Sequence, residues 1–565
     1  MSVVANALER AWEHHQARQW QLAEALYRQV LEADPAHATA WQLLGLLAQQ
    51  TGRLDLARHC QQRLVHLQPT NPEAHFQLGL LDAQRGDLEA AIAAWQQTLR
   101  LRPNWPTAWY NVGLALVRLG RFDEAIAPLE TALRFKPDFA DAHNTLGTAH
   151  LKQGRVLEAI RSLREAIRHH PDFADAHYNL GIALKDLRRL DEAQSHYEAA
   201  IRLKPGFAQA HYNLGALLAL QGNLQQAIAC YEEAIRLVPD FADAHYGRAV
   251  AWLALGDWRR GWPAYEWRWR QPGAVPRVFA QPPWDGSTLA GKTILLHAEQ
   301  GLGDTLQFIR FAPLLQRQGA TVLFEGPARL LPLLSRCAGV DRWIAAGSPL
   351  PPFDVHAPLL SVPGLLGITL ADIPAEVPYL FADPTLVARW RNALSAESGL
   401  RVGIAWQGNP RVQRDHERSI PLAEFAPLAE VLGVRLFSLQ KGPGSEQLLS
   451  VSFPVVDLGR RLDEDGGAFM DTAAVLHSLD LVITSDTALA HLAGGMGRPT
   501  WLALSAAPDW RWLRGRDDSP WYPTARLFRQ SRLGQWRDVF IRLRDELAQL
   551  AHRRSSAGTL PTASD

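Results

Sequence analysis

Three cysteines, Cys60, Cys230 and Cys337, are all that 565 residues contain. They lie far apart, which excludes the paired spacings of a zinc site and a disulfide framework, and points to a reducing compartment. Net charge is missing as well. The 58 basic residues balance 58 acidic ones, so the composition asks for no nucleic acid or membrane surface as partner. No apolar run approaches the length of a bilayer span. The start, MSVVANALERAWEHH, carries charge and histidine where a signal peptide would have its apolar core. These absences predict a soluble, cytoplasmic protein with no transmembrane segment, and the length favours roughly three or four domain-sized units.

What the chain has in abundance is repetition. Pro35, Pro69, Pro103, Pro137, Pro171, Pro205 and Pro239 succeed one another at intervals of 34 residues. Gly45, Gly79, Gly113, Gly147, Gly181 and Gly215 run in phase with them, as do Ala57, Ala91, Ala125, Ala159, Ala193 and Ala227. Small residues at fixed phase mark the places where two helices approach closely. The proline stops the second helix of each unit, and Gly86, Gly120, Gly154 and Gly222 supply the turn between the two. The pattern resembles the tetratricopeptide repeat over about residues 2–272. In the last unit Ala249 replaces the glycine, and GWPAYEWRWR (261–270) predicts a cap packed on the next domain.

Such arrays form a superhelix whose concave face takes extended peptides. YN(L/V)G places Asn111, Asn179 and Asn213 on first helices, where amides could clasp a peptide backbone through both donor and acceptor. The phrase PDFADAHYNLG is similar to the repeats of protein O-linked N-acetylglucosamine transferases, in which asparagines do this. The plain alternative is a set of solvated polar positions in a consensus-like repeat.

Residues 273–291, rich in proline and glycine, lose the helical period and are expected as a linker. Within them Gly286-Ser-Thr-Leu-Ala-Gly291-Lys292-Thr293 satisfies the P-loop expression. A P-loop needs a strand before it and a helix after it, so that helix-terminal amides hold the phosphates. Here the strand comes after. That context rejects a nucleotide triphosphatase and predicts an exposed Lys292 at a strand start.

From Thr293 onward short apolar runs alternate with helical stretches, as in doubly wound sheets. Predicted strands are 293–298, 321–326, 402–407, 435–440, 481–486 and 500–504; predicted helices are 304–317, 422–432, 470–478 and 487–496. Ligands gather beyond the carboxyl ends of such strands. Three loops there carry chemistry. HAEQGLGDTLQF brings Gly301, Gly303 and Asp304, with room for a ligand beside the backbone and an acid fit to cap the next helix and face a cleft. It lacks the third glycine of a dinucleotide fingerprint, since Leu306 stands there. WQGNPRVQRDHERSIPL and the later SLQKG bring Asn409, Arg411, Arg414, Arg418, Gln440 and Lys441, with Arg418 and Lys441 as cations for an anionic ligand. SDTALAHLAGG brings Asp486 as helix cap, the Thr487 and Ala488 amides as a diphosphate seat, and His491 one turn further on. Trp510, Trp512, Trp521 and Tyr522 could stack on a base or sugar, or form a buried plug.

GLGDT, WQGNP with RSIPL, SLQKG and SDTALAHLAGGMGRP together resemble the heptosyltransferase-like group, glycosyltransferase family 9, in its form fused to tetratricopeptide repeats, over about 282–550. The resemblance implies an α-helical tetratricopeptide superhelix followed by an α/β GT-B fold of two Rossmann-like lobes: repeats 2–272, linker 273–291, acceptor lobe 292–395, donor lobe 396–552 and a disordered tail 553–565. It implies an inverting glycosyltransferase with a nucleotide-diphosphate sugar as co-substrate and neither cofactor nor metal. Asp304 matches the proposed general base, and Asp486 with the amides after it the donor loop. Arg418 stands where the group has a lysine near the donor phosphates, which leaves sugar and nucleotide open. The acceptor is a hydroxyl, on a protein presented by the repeats or on a surface glycan. The alternative from another class is an interaction scaffold whose second half binds nucleotide without chemistry.

Overall fold

The computed structural model describes residues 3–411, 415–464 and 467–557. Arg414 and residues 558–565 of the expected tail lie outside them. Two compact units divide the chain, Met1–Ala210 and His211–Asp565.

The first unit is a run of helix pairs, from Val3–Gln16 with Trp20–Ala33 to Ala174–Asp186 with Leu190–Leu203. Its construction explains the repeat. A Cβ on Gly79 would lie 2.5 Å from the Trp95 ring, one on Gly113 2.5 Å from Leu129 and one on Gly147 2.6 Å from Leu163. The absent side chain of each first helix is the socket for a large one on the second, while Ala91, Ala125 and Ala159 are fully buried beside it. Gly86, Gly120 and Gly154 take the left-handed conformation at the turns (φ 85°, 75° and 74°), where a Cβ is strained.

A second periodic bond had no motif to announce it. The ring N–H of Trp41, His75, Trp109, His143 and His177 meets the carbonyl of the proline six residues earlier, at 2.8–3.0 Å. Each such bond clamps the turn into the next first helix and satisfies a carbonyl of that turn.

In the second unit the helices Ala242–Ala254 and Trp258–Tyr265 precede two parallel sheets. The first has the order β3-β2-β1-β4, with β1 Thr293–His297, β2 Thr321–Gly326, β3 Arg342–Ala345 and β4 Val355–Pro358. The second has the order β10-β9-β8-β5-β6-β7, with β5 Leu400–Ala405, β6 Val434–Ser438, β7 Val456–Asp457, β8 Leu481–Thr484, β9 Thr500–Leu504 and β10 Ala525–Arg529. Lys292 is exposed just before β1. The helix expected over 304–317 is broken into Leu302–Phe308, a 3-10 turn and Ala312–Arg317, and that over 422–432 into a 3-10 turn and Ala426–Ala429; Pro313 and Pro427 fall at the starts of the later pieces, where a missing N–H costs least. The helix Arg537–Ala557 runs into the stretch expected as tail; its Val539, Phe540, Leu543 and Leu547 are buried against β5 and β8 residues.

The last helix pair belongs to this core. The Trp262 ring lies 5.2 Å from that of Trp510, edge to face, and Trp258 stacks on Trp521 at 5.3 Å. Trp510, Trp512, Trp521 and Tyr522 are all at most 2% exposed, so they form the plug and present no face for a base or sugar. Among the described residues no helix is long and apolar enough to cross a membrane.

Candidate functional site

A cleft of about 890 Å³ opens where β1, β5, β6 and β8 end. It gathers Gly301, Gly303, Asp304, Asn409, Arg418, Gln440, Lys441, Asp486, Thr487, Ala488 and His491 on one wall system. The three loops singled out from sequence therefore meet in space, although 185 positions separate Gly301 from Asp486.

The glycine loop is held from behind. Arg268, buried at the end of the last helix pair, donates Nε to Glu299 Oε2 at 2.9 Å and Nη2 to Glu299 Oε1 at 3.1 Å. Glu299 also accepts from the Leu360 amide at 2.9 Å. Beyond it Gly301 caps the helix Leu302–Phe308, and Asp304 Oδ2 accepts from the Gly301 N–H at 2.9 Å. The space at Gly303 is not left for a ligand, as expected, but is filled by protein. A Cβ there would sit 3.0 Å from His491 Cδ2 and 3.2 Å from Ala488 Cα, so Gly303 lets the two loops touch.

Asp304 is more engaged than an isolated base would be. Its Oδ1 accepts from Arg511 Nη2 at 2.6 Å. Arg511 is itself buried and fully used: Nη1 reaches Asp509 at 2.8 Å and Nε reaches Gln307 at 2.9 Å. Asp509 and Arg511 both line the cleft, and neither was singled out from sequence. The signal was present in PDWRW, where an arginine between two tryptophans is carried into the interior with them.

On the facing loop the helix cap is Thr487, not Asp486 as expected: the helix runs Ala488–Gly495 and the Asp486 side chain caps nothing. Burial pushes the Asp486 carboxyl up to about 6, and the charge of Asp509 adds to this, while Arg418 and Arg511 pull the other way. His491 is buried, stacks on Trp512 at 5.5 Å and shares a 2.9 Å hydrogen bond between Nδ1 and the Tyr522 hydroxyl. Burial, then Arg511, Arg310 and Arg418, hold it well below its usual range, so it is a neutral imidazole.

Other expected contacts are spent on the protein. Gln440 Oε1 accepts from the amides of Trp406 (3.1 Å) and Gln407 (3.0 Å), and its Nε2 donates to the carbonyls of Gln407 (3.0 Å) and Pro443 (2.8 Å). It braces two loops. Lys441 donates to the carbonyls of Leu462 and Asp463. Asn409 is exposed and accepts from the Arg411 amide at 3.1 Å, a local turn. Arg418 donates to Asp415 at 2.9 Å and remains 34% exposed on the cleft wall, which leaves donors for a ligand.

In the first unit Asn111 is half-buried on the helix Pro106–Arg118. Asn179 donates to Asn144 Oδ1 at 2.9 Å and to Thr148 at 3.3 Å. Thr145 stands at the corresponding place between them, so the asparagine series is interrupted; Asn213 lies in the other unit.

Comparison with known proteins bears on the helical half. The profile of the family described as Cilia and flagella-associated protein 70 C-terminal domain matches residues 2–251. The chain carries a tetratricopeptide-repeat array. Protein FlbA of Caulobacter vibrioides is 28% identical over 343 residues, 54% of each chain, so this chain spans about half the length of that relative. Among solved structures, YrrB, described as a tetratricopeptide protein with an unusual peptide-binding site, is 26% identical and covers 33% of this chain and 97% of its own, with a TM-score of 0.29. MamA is 27% identical and covers 29% of this chain and 96% of its own, with a TM-score of 0.27. A tetratricopeptide array is a scaffold for protein and peptide contacts.

Proposed function

We propose that the second unit is a GT-B glycosyltransferase that moves a sugar from a nucleotide-diphosphate donor to a hydroxyl acceptor with inversion, and that the tetratricopeptide array docks a partner polypeptide. The observation that carries this reading is the meeting of the glycine loop and the SDTALAH loop on one cleft floor, closed by Gly303 against Ala488 and His491. Two parallel sheets whose strand ends face that cleft suit a two-substrate transfer.

The roles follow from charge and place. The Thr487 and Ala488 amides open an eight-residue helix whose positive end suits a diphosphate, and Arg418 beside them offsets its charge. Inversion requires the acceptor oxygen to arrive opposite the leaving diphosphate. Asp304 comes from the other sheet and accepts the acceptor's proton; Arg511, which also holds Asp509, steadies it. Asp486, raised to about 6 by burial, takes up a proton more readily than an ordinary carboxylate, and in that protonated form it donates a hydrogen bond to the departing phosphate as its charge grows.

The test is release of nucleoside diphosphate from a panel of nucleotide-diphosphate sugars by the full chain, with Asp304→Asn and Asp486→Asn alongside. Wild type releases product from one donor; Asp304→Asn binds that donor and fails to turn it over; Asp486→Asn weakens its use. No release from any donor, with or without candidate acceptors, sinks the transferase reading. A binding module without chemistry is the second reading, favoured by the engagement of both Asp304 oxygens, Gln440 and Lys441 within the protein.

A further inference from the structure

His143, on the helix Ala140–Lys152, faces Glu165 and His169, one turn apart on the helix Val156–His169. One ligand atom from each lies within 4.8 Å of the others, and all three side chains are partly exposed. A hydrogen bond assigns one nitrogen of each imidazole. His143 Nε2 donates to the Pro137 carbonyl at 2.9 Å, which fixes the proton there and leaves the Nδ1 lone pair free. His169 Nε2 accepts from Arg168 Nη2 at 2.8 Å, so its lone pair is held by that guanidinium. The two rings lie nearly parallel, 13° apart, with centroids at 5.8 Å.

The cluster is particular to this repeat. His177 occupies the place of His143 in the next unit and keeps the bond to its proline, but Ala199 and Leu203 stand where Glu165 and His169 would be. In the preceding unit those places hold Thr131 and Phe135, with Trp109 for the histidine. Helix packing does not ask for two imidazoles and a carboxylate here. A cation already sits among them, since Arg168 donates to both Glu165 and His169. That arginine is 64% exposed and free to swing into solvent.

We infer that His143, Glu165 and His169 bind a divalent transition metal of the zinc class, which displaces the Arg168 guanidinium. Two imidazole nitrogens and one carboxylate oxygen are a recurrent zinc set, and a three-residue set leaves the fourth position to water. Ligand atoms around zinc stand about 3.4 Å apart for bonds of roughly 2.0–2.1 Å. Small rotamer changes of exposed side chains close the difference.

The experiment uses the full chain, free of any histidine tag and treated with chelator. Zinc binding is measured by calorimetry and cobalt binding by its visible absorption. One metal per chain binds to wild type, His143→Ala and His169→Ala each weaken it at least about tenfold, and Arg168→Ala tightens it; circular dichroism checks that the variants keep their helices. Equal affinity in wild type and His143→Ala overturns the inference. So does the absence of binding, or binding that appears only once Arg168 is removed.

Discussion

Arg511 binds Asp304 and Asp509 at once, at 2.6 and 2.8 Å, from a side chain that is almost wholly buried. Its third contact, to Gln307 at 2.9 Å, ties it to the helix Leu302–Phe308 that carries Asp304. The charge at the cleft floor is thus set by one buried cation between two acids, with a third acid, Asp486, close enough to feel Asp509. Removing the cation strands two carboxylates. Arg511→Met is expected to cost about 1–3 kcal/mol, because the two carboxylates it leaves are partly open to water. Chemical denaturation of the second unit's transition measures it; a loss below about 1 kcal/mol contradicts the assignment.

Asp486→Asn is expected to stabilise the fold at neutral pH. The folded carboxyl titrates at about 6 and the unfolded one at 3.8, so the folded state prefers the protonated acid. The penalty is absent below 3.8, grows as pH rises and is complete above 6, where it reaches roughly 3 kcal/mol. The variant's gain in Tm should be largest near pH 7.5 and shrink steadily toward pH 4.5. A gain independent of pH means that burial of charge is not its source.

The helix sockets predict an asymmetric pair. Gly113→Val drives carbon into the space of Leu129, 2.5 Å away at Cβ, and should cost about 1–3 kcal/mol. Combining it with Leu129→Ala should cost less than the sum of the two single changes, because the shortened side chain vacates the socket. Additive losses would mean that the glycine serves something other than this contact.

Trp262 shows how far the last helix pair belongs to the α/β part. Its ring packs on Trp510, and its N–H donates to the Ile368 carbonyl at 3.1 Å. Trp262→Ala should cost roughly 3–5 kcal/mol and expose sites within residues 293–552 to limited proteolysis. Proteolysis confined to the repeats would show the coupling to be weak.

Much of this was legible in the sequence, and for identifiable reasons. The 34-residue phase reports helix packing directly, because the glycines from Gly79 to Gly215 are missing side chains opposite large ones. Strands Thr321–Gly326 and Thr500–Leu504 coincide with their apolar runs, which turn signals bound on both sides. The short strands Arg342–Ala345 and Val355–Pro358 are not among the predicted strands, since four residues show no period. Val456–Asp457 and Ala525–Arg529 were not anticipated. The site loops were found because they come after strands, yet the partners that occupy them were not. Arg511 reaches Asp304 across 207 positions, and Gln440 looked like a ligand contact until its four bonds to backbone groups were seen. Sequence marks polar residues at strand ends; only the packed chain shows which of them still have a bond to give.

Whether this cleft holds a nucleotide-diphosphate sugar is measured most directly by ligand-induced stabilisation. The Tm of the full chain is followed with a panel of nucleotide-diphosphate sugars at saturating concentration, for wild type and Arg418→Ala. Ligand at a hundred times its Kd adds about 2.7 kcal/mol, a shift of several degrees for the second unit. At least one donor is expected to shift wild type, and Arg418→Ala to lose most of that shift. No shift with any donor, or an equal shift in Arg418→Ala, would contradict the assignment of this cleft.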